Sequence, residues 1–359
     1  MFLFTILFLI FYNILPAQEG FIYPSTTTIG PGVIHKHIVD KEAPLNIHVV
    51  EIDLSNPYIS METVKAQDAY SGYERTSSMS SRKNTIGHWS VAAVNGDFYG
   101  TGGVPINSQV INGELLRTVD YNNKSTLGFD TANRPFISIT NFSGKLILKN
   151  AERAISGVNQ IRQTNFLVLY NPFWGNHTDT NEWGTEVEIT PITDWTVNDT
   201  IVCVAGDIAR FVGKMPIPAG KAVLSGHQEA SDFLYNNIQS GDTLKLVLQL
   251  QPALSNIKQL IGGFPKIVSE GVNYVDQGYA QEDGPPHTYQ RHPRTAVGFS
   301  ADSTRLYLVT VDGRQDLLSR GMTLPELADF MISIGVAYGI NLDGGGSTTM
   351  VVRNQVKNS

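Results

Sequence analysis

The sequence predicts an α+β fold in a single catalytic-sized domain, built mainly of β-sheets packed on one another with a few helices. Three observations predict it. Short apolar runs of strand length recur from residue 46 onward, separated by Gly, Pro, Asn and Asp turn signals. Only three stretches carry helical character. The composition, with 42% apolar residues, 33 glycines and 16% charged residues against roughly 25% in typical soluble domains, describes a loop-rich chain with enough apolar mass for a real core. No repeat of 20–50 residues and no long linker interrupts the chain, so one unit spanning 18–359 follows.

Residues 46–54 alternate as a strand, Asn56-Pro57 marks a turn, and 58–64 reads as a second strand. Residues 77–88 suggest a short helix. Residues 90–94 form an apolar strand running into Asn95-Gly96-Asp97-Phe98-Tyr99 and a Gly-rich loop. Short strands are expected at 125–129, 136–140, 145–149, 166–170, 186–190, 200–205 and 222–225. A helix over 231–238 and a strand over 243–250 follow. Strands 295–299 and 305–311 pair around Ala301-Asp302-Ser303. Thr323 is placed to cap a helix, with Pro325 in its first turn and Glu326 three positions after the cap. Leu324, Leu327, Ala328, Met331 and Ile332 supply its apolar stripe, and Gly335 ends it. A buried strand over 336–342, a sharp bend at 343–347 and a returning strand over 348–353 complete the pattern.

The formal charge is −7, from 26 basic and 33 acidic residues, and no Lys/Arg run breaks it. A general nucleic-acid surface needs one, so nucleic acid is not an expected partner. An anionic ligand must be held locally, by a few placed arginines or backbone N–H groups. Cys203 is the only cysteine, which rules out an internal disulfide; it sits in an apolar run and reads as a core residue. Residues 1–15 are almost wholly apolar. They are short for a membrane span of about 20 residues, but suit a signal peptide over 1–17. That predicts a secreted, periplasmic or cell-envelope protein with no stable membrane insertion after cleavage.

The strongest chemical signal is Asn341-Leu342-Asp343-Gly344-Gly345-Gly346-Ser347-Thr348. A strand delivers Asp343 to a turn without Cβ atoms, which lets a ligand approach the backbone, and successive N–H groups there can form an anion nest. Asn95 to Tyr99 repeats the logic with Asp97. Arg294-Thr295 opens one strand and Asp312-Gly313-Arg314 ends its partner, so two guanidinium forks can meet at one sheet edge and share a phosphate. Gly262-Gly263-Phe264 is another Gly loop, but no P-loop, HExxH, GxSxG or CxxC pattern occurs. No cofactor is expected. Asp97, Asp312 and Asp343 are the residues that could converge on a divalent cation such as Ca²⁺.

Taken in order, these motifs resemble the phosphodiester glycosidase family. The TLPELA helix at 323–328 followed by NLDGGGST at 341–348 is similar to the family's closing motif; Asn95–Tyr99, Arg294–Gly298 and Val311–Arg314 resemble its other motifs. Position 97 departs from it, being Asp where a small residue is common, and the resemblance implies a further short strand beyond Ser359. It also implies hydrolysis of a sugar-1-phosphodiester, with α-N-acetylglucosamine as the sugar. Asp343 would act as base or nucleophile, with Asp312 and Asp97 as further catalytic candidates. Asn95, Arg294, Thr295, Arg314, Asn341, Gly344, Gly345, Gly346, Ser347, Thr348 and Gly263 would bind substrate. Two rival readings remain open: metal-assisted phosphodiester cleavage at phosphorus, and a non-catalytic envelope glycan-binding protein.

Overall fold

Apolar–polar alternation along the strands gives each sheet one face to bury, and four sheets result among the described residues. The structure is a computed structural model that describes residues 21–118, 123–252, 256–284 and 290–359. The leader expected at 1–17 lies outside the described residues. No helix of the described residues is long and apolar enough to cross a membrane.

One eight-stranded sheet carries the strand pair Arg294–Phe299 and Arg305–Val311 at its centre. Leu45–Asp53 flanks it on one side and Tyr338–Asn341 on the other. One face buries an apolar cluster under the helices Val275–Glu282 and Leu324–Ser333, including Ala296, Val309, Leu327 and Met331. The opposite face packs Val297, Phe299, Ile340 and Leu342 against Met350 and Val352. Met350–Val352 belongs to a three-stranded sheet with Ala92–Val94. A second eight-stranded sheet, centred on Thr200–Arg210 and Thr243–Gln251, holds the largest core. A five-stranded sheet containing Ile257–Gly262 brings the Gly262-Gly263 loop beside the end of Tyr338–Asn341. Cys203 is fully buried in the second core, as its apolar run predicts.

The expected strand at 58–64 does not form. Its backbone donors are taken by side chains instead: Met61 N–H donates to Asn133 Oδ1 (3.1 Å) and Thr63 N–H to Gln259 Oε1 (3.1 Å). Tyr58, which made the alternation look regular, is 93% exposed. The first helix covers Thr76–Lys83 and stops well short of 88, because Asn84 turns the chain and its side chain accepts from Ser90 N–H. Two long strands, Phe21–Gly30 and Val33–Asp40, had no clear signature. The first is an edge strand exposed along most of its length, so no buried face imposes a period of two.

The C-terminal helix begins as its sequence requires. Thr323 Oγ1 accepts from Glu326 N–H (3.3 Å) while Glu326 Oε2 accepts from Thr323 N–H (2.9 Å), forming a reciprocal cap. Thr323→Ala should therefore cost about 1 kcal/mol of stability. Urea unfolding at neutral pH checks this, and an unchanged midpoint would remove the cap from the account.

Candidate active site

Asp343 leaves the buried strand Tyr338–Asn341 just as the backbone loses its sheet partner. Three anchors fix the bend that follows. Leu342 N–H donates to Thr295 O (2.9 Å), Asp343 N–H to Gly96 O (3.1 Å), and Gly345 N–H to Pro293 O (2.9 Å). Gly345 has φ near +60°, and a Cβ there would lie 3.3 Å from Arg314 Nη2. A Cβ at Gly344 would lie 2.8 Å from Pro293 O. The glycines are thus explained by close backbone packing as well as by ligand approach.

Asn95 ties this bend to the sheets. Its Oδ1 accepts from Thr295 Oγ1 (2.7 Å) and Thr349 N–H (3.0 Å), and its Nδ2 donates to Asp343 O (2.6 Å). Asn95 and Thr295, both expected to touch substrate, spend these groups on the loop. Asn341 likewise donates from Nδ2 to Phe264 O (2.6 Å). Its Oδ1 and Thr348 Oγ1 are buried without a partner among the described residues.

Asp97 sits beside Asp343 and raises a different question. Its Oδ1 accepts from Asn107 Nδ2 (2.9 Å) and its Oδ2 from Asn107 N–H (3.2 Å). Gly262 leaves room for it, since a Cβ there would stand 2.5 Å from Asp97 Oδ1. The residue keeps some surface open, yet protein atoms crowd its carboxyl group. Burial pushes its pKa up to about 7 against the Asn107 and Phe98 hydrogen bonds, and the charge of Asp343 pushes the same way. Burial also raises the pKa of Asp343, opposed by hydrogen bonds from the Ser347 hydroxyl and the Gly344 amide. Burial thus raises the proton affinity of both carboxyl groups, and the Asp343 charge adds to the rise at Asp97.

Arg314 is exposed and lies over Gly345, with Nη2 3.3 Å from His292 Nδ1. Arg294 is only 5% exposed, and it donates from Nε to Met322 O (3.0 Å) and from Nη2 to Gln290 O (2.6 Å). Burial lowers its pKa to about 10; Tyr279 opposes that shift and the nearby charge of Arg314 adds to it. The two guanidinium groups are thus neighbours, although Arg294 is largely spent on backbone carbonyls.

Two expectations need correction. The three aspartates do not converge. Asp312 is buried and accepts from Asn46 Nδ2 (2.5 Å) and from the amide of residue 359 (3.1 and 3.2 Å). Among the described residues, no group of three or more His, Cys, Asp or Glu side chains is placed to hold a metal ion. Nor do Gly344–Gly346 form a three-amide nest. The Gly345 amide goes to Pro293 O, and Gly346 is exposed at the crest of the bend. Sequence reasoning missed Asn107, which lies in an aperiodic loop, and did not foresee that Gly262, at the end of the strand Ile257–Gly262, makes room for Asp97. Their roles appear only once Asp97 is seen against them.

Residues 198–359 match the family model described as phosphodiester glycosidase. The resemblance read from the motifs holds over the segment carrying Asp343, Arg294 and Arg314. The N-acetylglucosamine-1-phosphodiester alpha-N-acetylglucosaminidase of Bos taurus is 35% identical over 102 residues, 26% of this chain and 19% of that protein. The chain thus matches about a fifth of the length of this curated relative. Among solved structures, a hypothetical protein from Synechocystis aligns with a TM-score of 0.67 at 16% identity, over 93% of this chain and 61% of its own. A putative exported protein from Burkholderia pseudomallei aligns at 0.62 with 21% identity, over 90% of this chain and 71% of its own. Both likenesses establish a shared fold.

If Asn95 is the anchor of the bend, Asn95→Ala should destabilise the protein by about 1–3 kcal/mol, because buried partners lose their hydrogen bonds. Hydrogen exchange at the Thr349 amide should quicken with it. Protection of that amide unchanged in the variant would remove Asn95 from this role.

Proposed function

We propose that the protein hydrolyses a sugar-1-phosphodiester at the anomeric carbon, releasing the sugar and a phosphomonoester. The observation that carries the reading is the meeting of the Asp97 and Asp343 segments at the glycine bend, where Asp343 N–H donates to Gly96 O and burial raises the pKa of both carboxyl groups, within a chain whose family match covers Asp343. Glycoside hydrolysis passes through an oxocarbenium-like transition state and uses two carboxyl groups with unequal proton affinities. Asp343, with the lower proton affinity, is the carboxylate facing the anomeric carbon, as nucleophile or as base for water. Asp97, protonated over a wider pH range, gives its proton to the phosphate oxygen as the C1–O bond breaks. The electron pair of that bond leaves with the phosphomonoester, and the oxygen of water ends on C1.

Phosphate is already a good leaving group, so proton donation is worth less here than charge stabilisation. Arg314 is the exposed cation at the bend, Arg294 its buried neighbour, and the Gly346 amide and Ser347 hydroxyl the local donors. Four placed groups of this kind let a chain of charge −7 hold an anion without a basic surface. The reading takes α-N-acetylglucosamine as the sugar, and the leader at 1–17 as directing the protein out of the cytoplasm or into the envelope. On this reading the substrates to try include teichoic-acid-like polymers and exopolysaccharides that bear the linkage.

The test is incubation with α-N-acetylglucosamine-1-phosphate diesters, followed by NMR at the anomeric proton. Free N-acetylglucosamine plus phosphomonoester is the expected outcome. Sugar-1-phosphate plus alcohol would mean cleavage at phosphorus and would overturn the reading, as would no turnover. Asp343→Asn should lower kcat at least about 10²-fold. Asp97→Asn should cost less than Asp343→Asn, since the leaving group departs with little help.

The pH profile follows from the same pair. Activity needs Asp343 ionised and Asp97 protonated. Rate should therefore rise through the elevated pKa of Asp343 and fall above about 7, as Asp97 loses its proton. Asp97→Asn should remove the alkaline limb while keeping the acid one. An alkaline limb retained in that variant would assign the proton to another group.

A further inference from the structure

Past Asp97 the chain builds a second feature that the reaction itself does not use. The segment 69–75 is clamped between two loops: Gly72 N–H donates to Gly102 O (2.7 Å), and Tyr70 N–H to Phe173 O (2.6 Å). That clamp aligns aromatic rings. Tyr99, two residues after Asp97, meets Tyr73 edge-on at 5.7 Å between centroids, and both are more than half exposed. Farther on, Tyr70 meets Trp174 at 4.8 Å, and Trp174 is fixed by donating from Nε1 to Thr178 O (3.0 Å).

Tyr70 separates two cavities. One, of about 350 Å³, is walled by Tyr70 and Trp174 and rimmed by Asn176, His177 and Asp179. The other, of about 210 Å³, lies against Tyr70, Arg117, Gln160 and Phe166. Arg117 stacks over the Tyr70 ring at 5.7 Å and donates to Pro105 O. Pro105 lies two residues before Asn107, which holds the Asp97 carboxyl group. The loop 98–107 therefore has the reactive carboxyl group on one side and the cavity wall on the other.

Fixed aromatic faces ringed by planar amide, imidazole, carboxylate and guanidinium groups suit one ligand chemistry. A sugar ring offers an apolar C–H face to stack and an edge of hydroxyls that both donate and accept hydrogen bonds. A purely apolar ligand would leave the polar rim unpaired, and a polyanion would meet Asp179. We infer that the cavities flanking Tyr70 form a binding subsite for neutral carbohydrate. It would receive the continuing glycan beyond the phosphodiester, with Trp174 and Tyr70 as stacking platforms. This inference deepens the proposed hydrolysis by naming an oligosaccharide aglycone, and its binding arm stands apart from turnover.

The test titrates the full chain with maltotriose, cellotriose and chitotriose, reading tryptophan fluorescence and ¹⁵N chemical shifts. At least one trisaccharide should bind, and Trp174→Ala should weaken it tenfold or more. Because Trp174 also packs against Tyr170, a second variant, Asn176→Ala, changes only an exposed rim side chain and should weaken binding at least threefold. No binding of any trisaccharide by the parent, or equal binding by parent and both variants, would overturn the subsite. A kinetic arm compares phosphodiesters of α-N-acetylglucosamine bearing a methyl or a trisaccharide aglycone. The parent should favour the trisaccharide diester through a lower KM, and Trp174→Ala should collapse that preference. If neither diester turns over, the hydrolytic reading fails while the titration still decides the subsite.

Discussion

The structure turns on one side chain that never needs to touch a ligand. Asn95 joins three pieces of chain far apart in sequence: its own strand, the central strand through Thr295, and the glycine bend through Asp343 O and Thr349 N–H. An amide is the side chain that suits the position. It must accept from a hydroxyl and an amide and donate to a carbonyl at once, and a carboxylate in its place would set charge against Asp343 O. Three glycines cost conformational entropy to order. The Asn95 bonds, with those to Pro293 O, Thr295 O and Gly96 O, offset that cost and make a flexible turn a rigid platform.

Rigidity matters because of what is mounted on it. Holding Asp97 and Asp343 near each other in a crowded site is unfavourable whenever both are ionised. Asn107 compensates with two donors to Asp97 yet does not bring its proton affinity back to that of a free carboxyl group. A loose bend would relieve the repulsion by letting the carboxyl groups separate. A fixed one keeps Asp97 buried, and that burial, with a smaller push from the Asp343 charge, holds its pKa up.

Much of this was legible in the residues. The glycine bend, its aspartate and the capped helix before it have local causes: a strand that ends in a carboxylate, turns without Cβ atoms, and a Thr-x-x-Glu start. What escaped is non-local. Alternation at 58–64 promised a strand, but Asn133 and Gln259, distant in sequence, took the backbone donors. Phe21–Gly30 lacked a pattern because an exposed edge demands none. Asp312 carried the same local signature as Asp97, and only the fold shows it committed to Asn46 and the amide of residue 359. The packing of the Asp97–Asn107 pair against Gly262 depends on the meeting of separate sheets, which no spacing in the sequence encodes.

In the proposed hydrolysis, the chemistry says what a carboxyl group at position 97 is worth. With a phosphate leaving group, an acid is dispensable when the departing phosphomonoester is already stable as an anion. It gains value when the phosphate is poorly neutralised by its surroundings. Here Arg294 is largely held by backbone carbonyls, and Arg314 is exposed to water, which weakens its pull on an anion. In the proposed reaction a carboxyl group kept protonated to about pH 7 would add a neutral donor without adding negative charge beside the bound phosphate. Weakened cation binding and a raised carboxyl pKa are then two parts of one electrostatic solution.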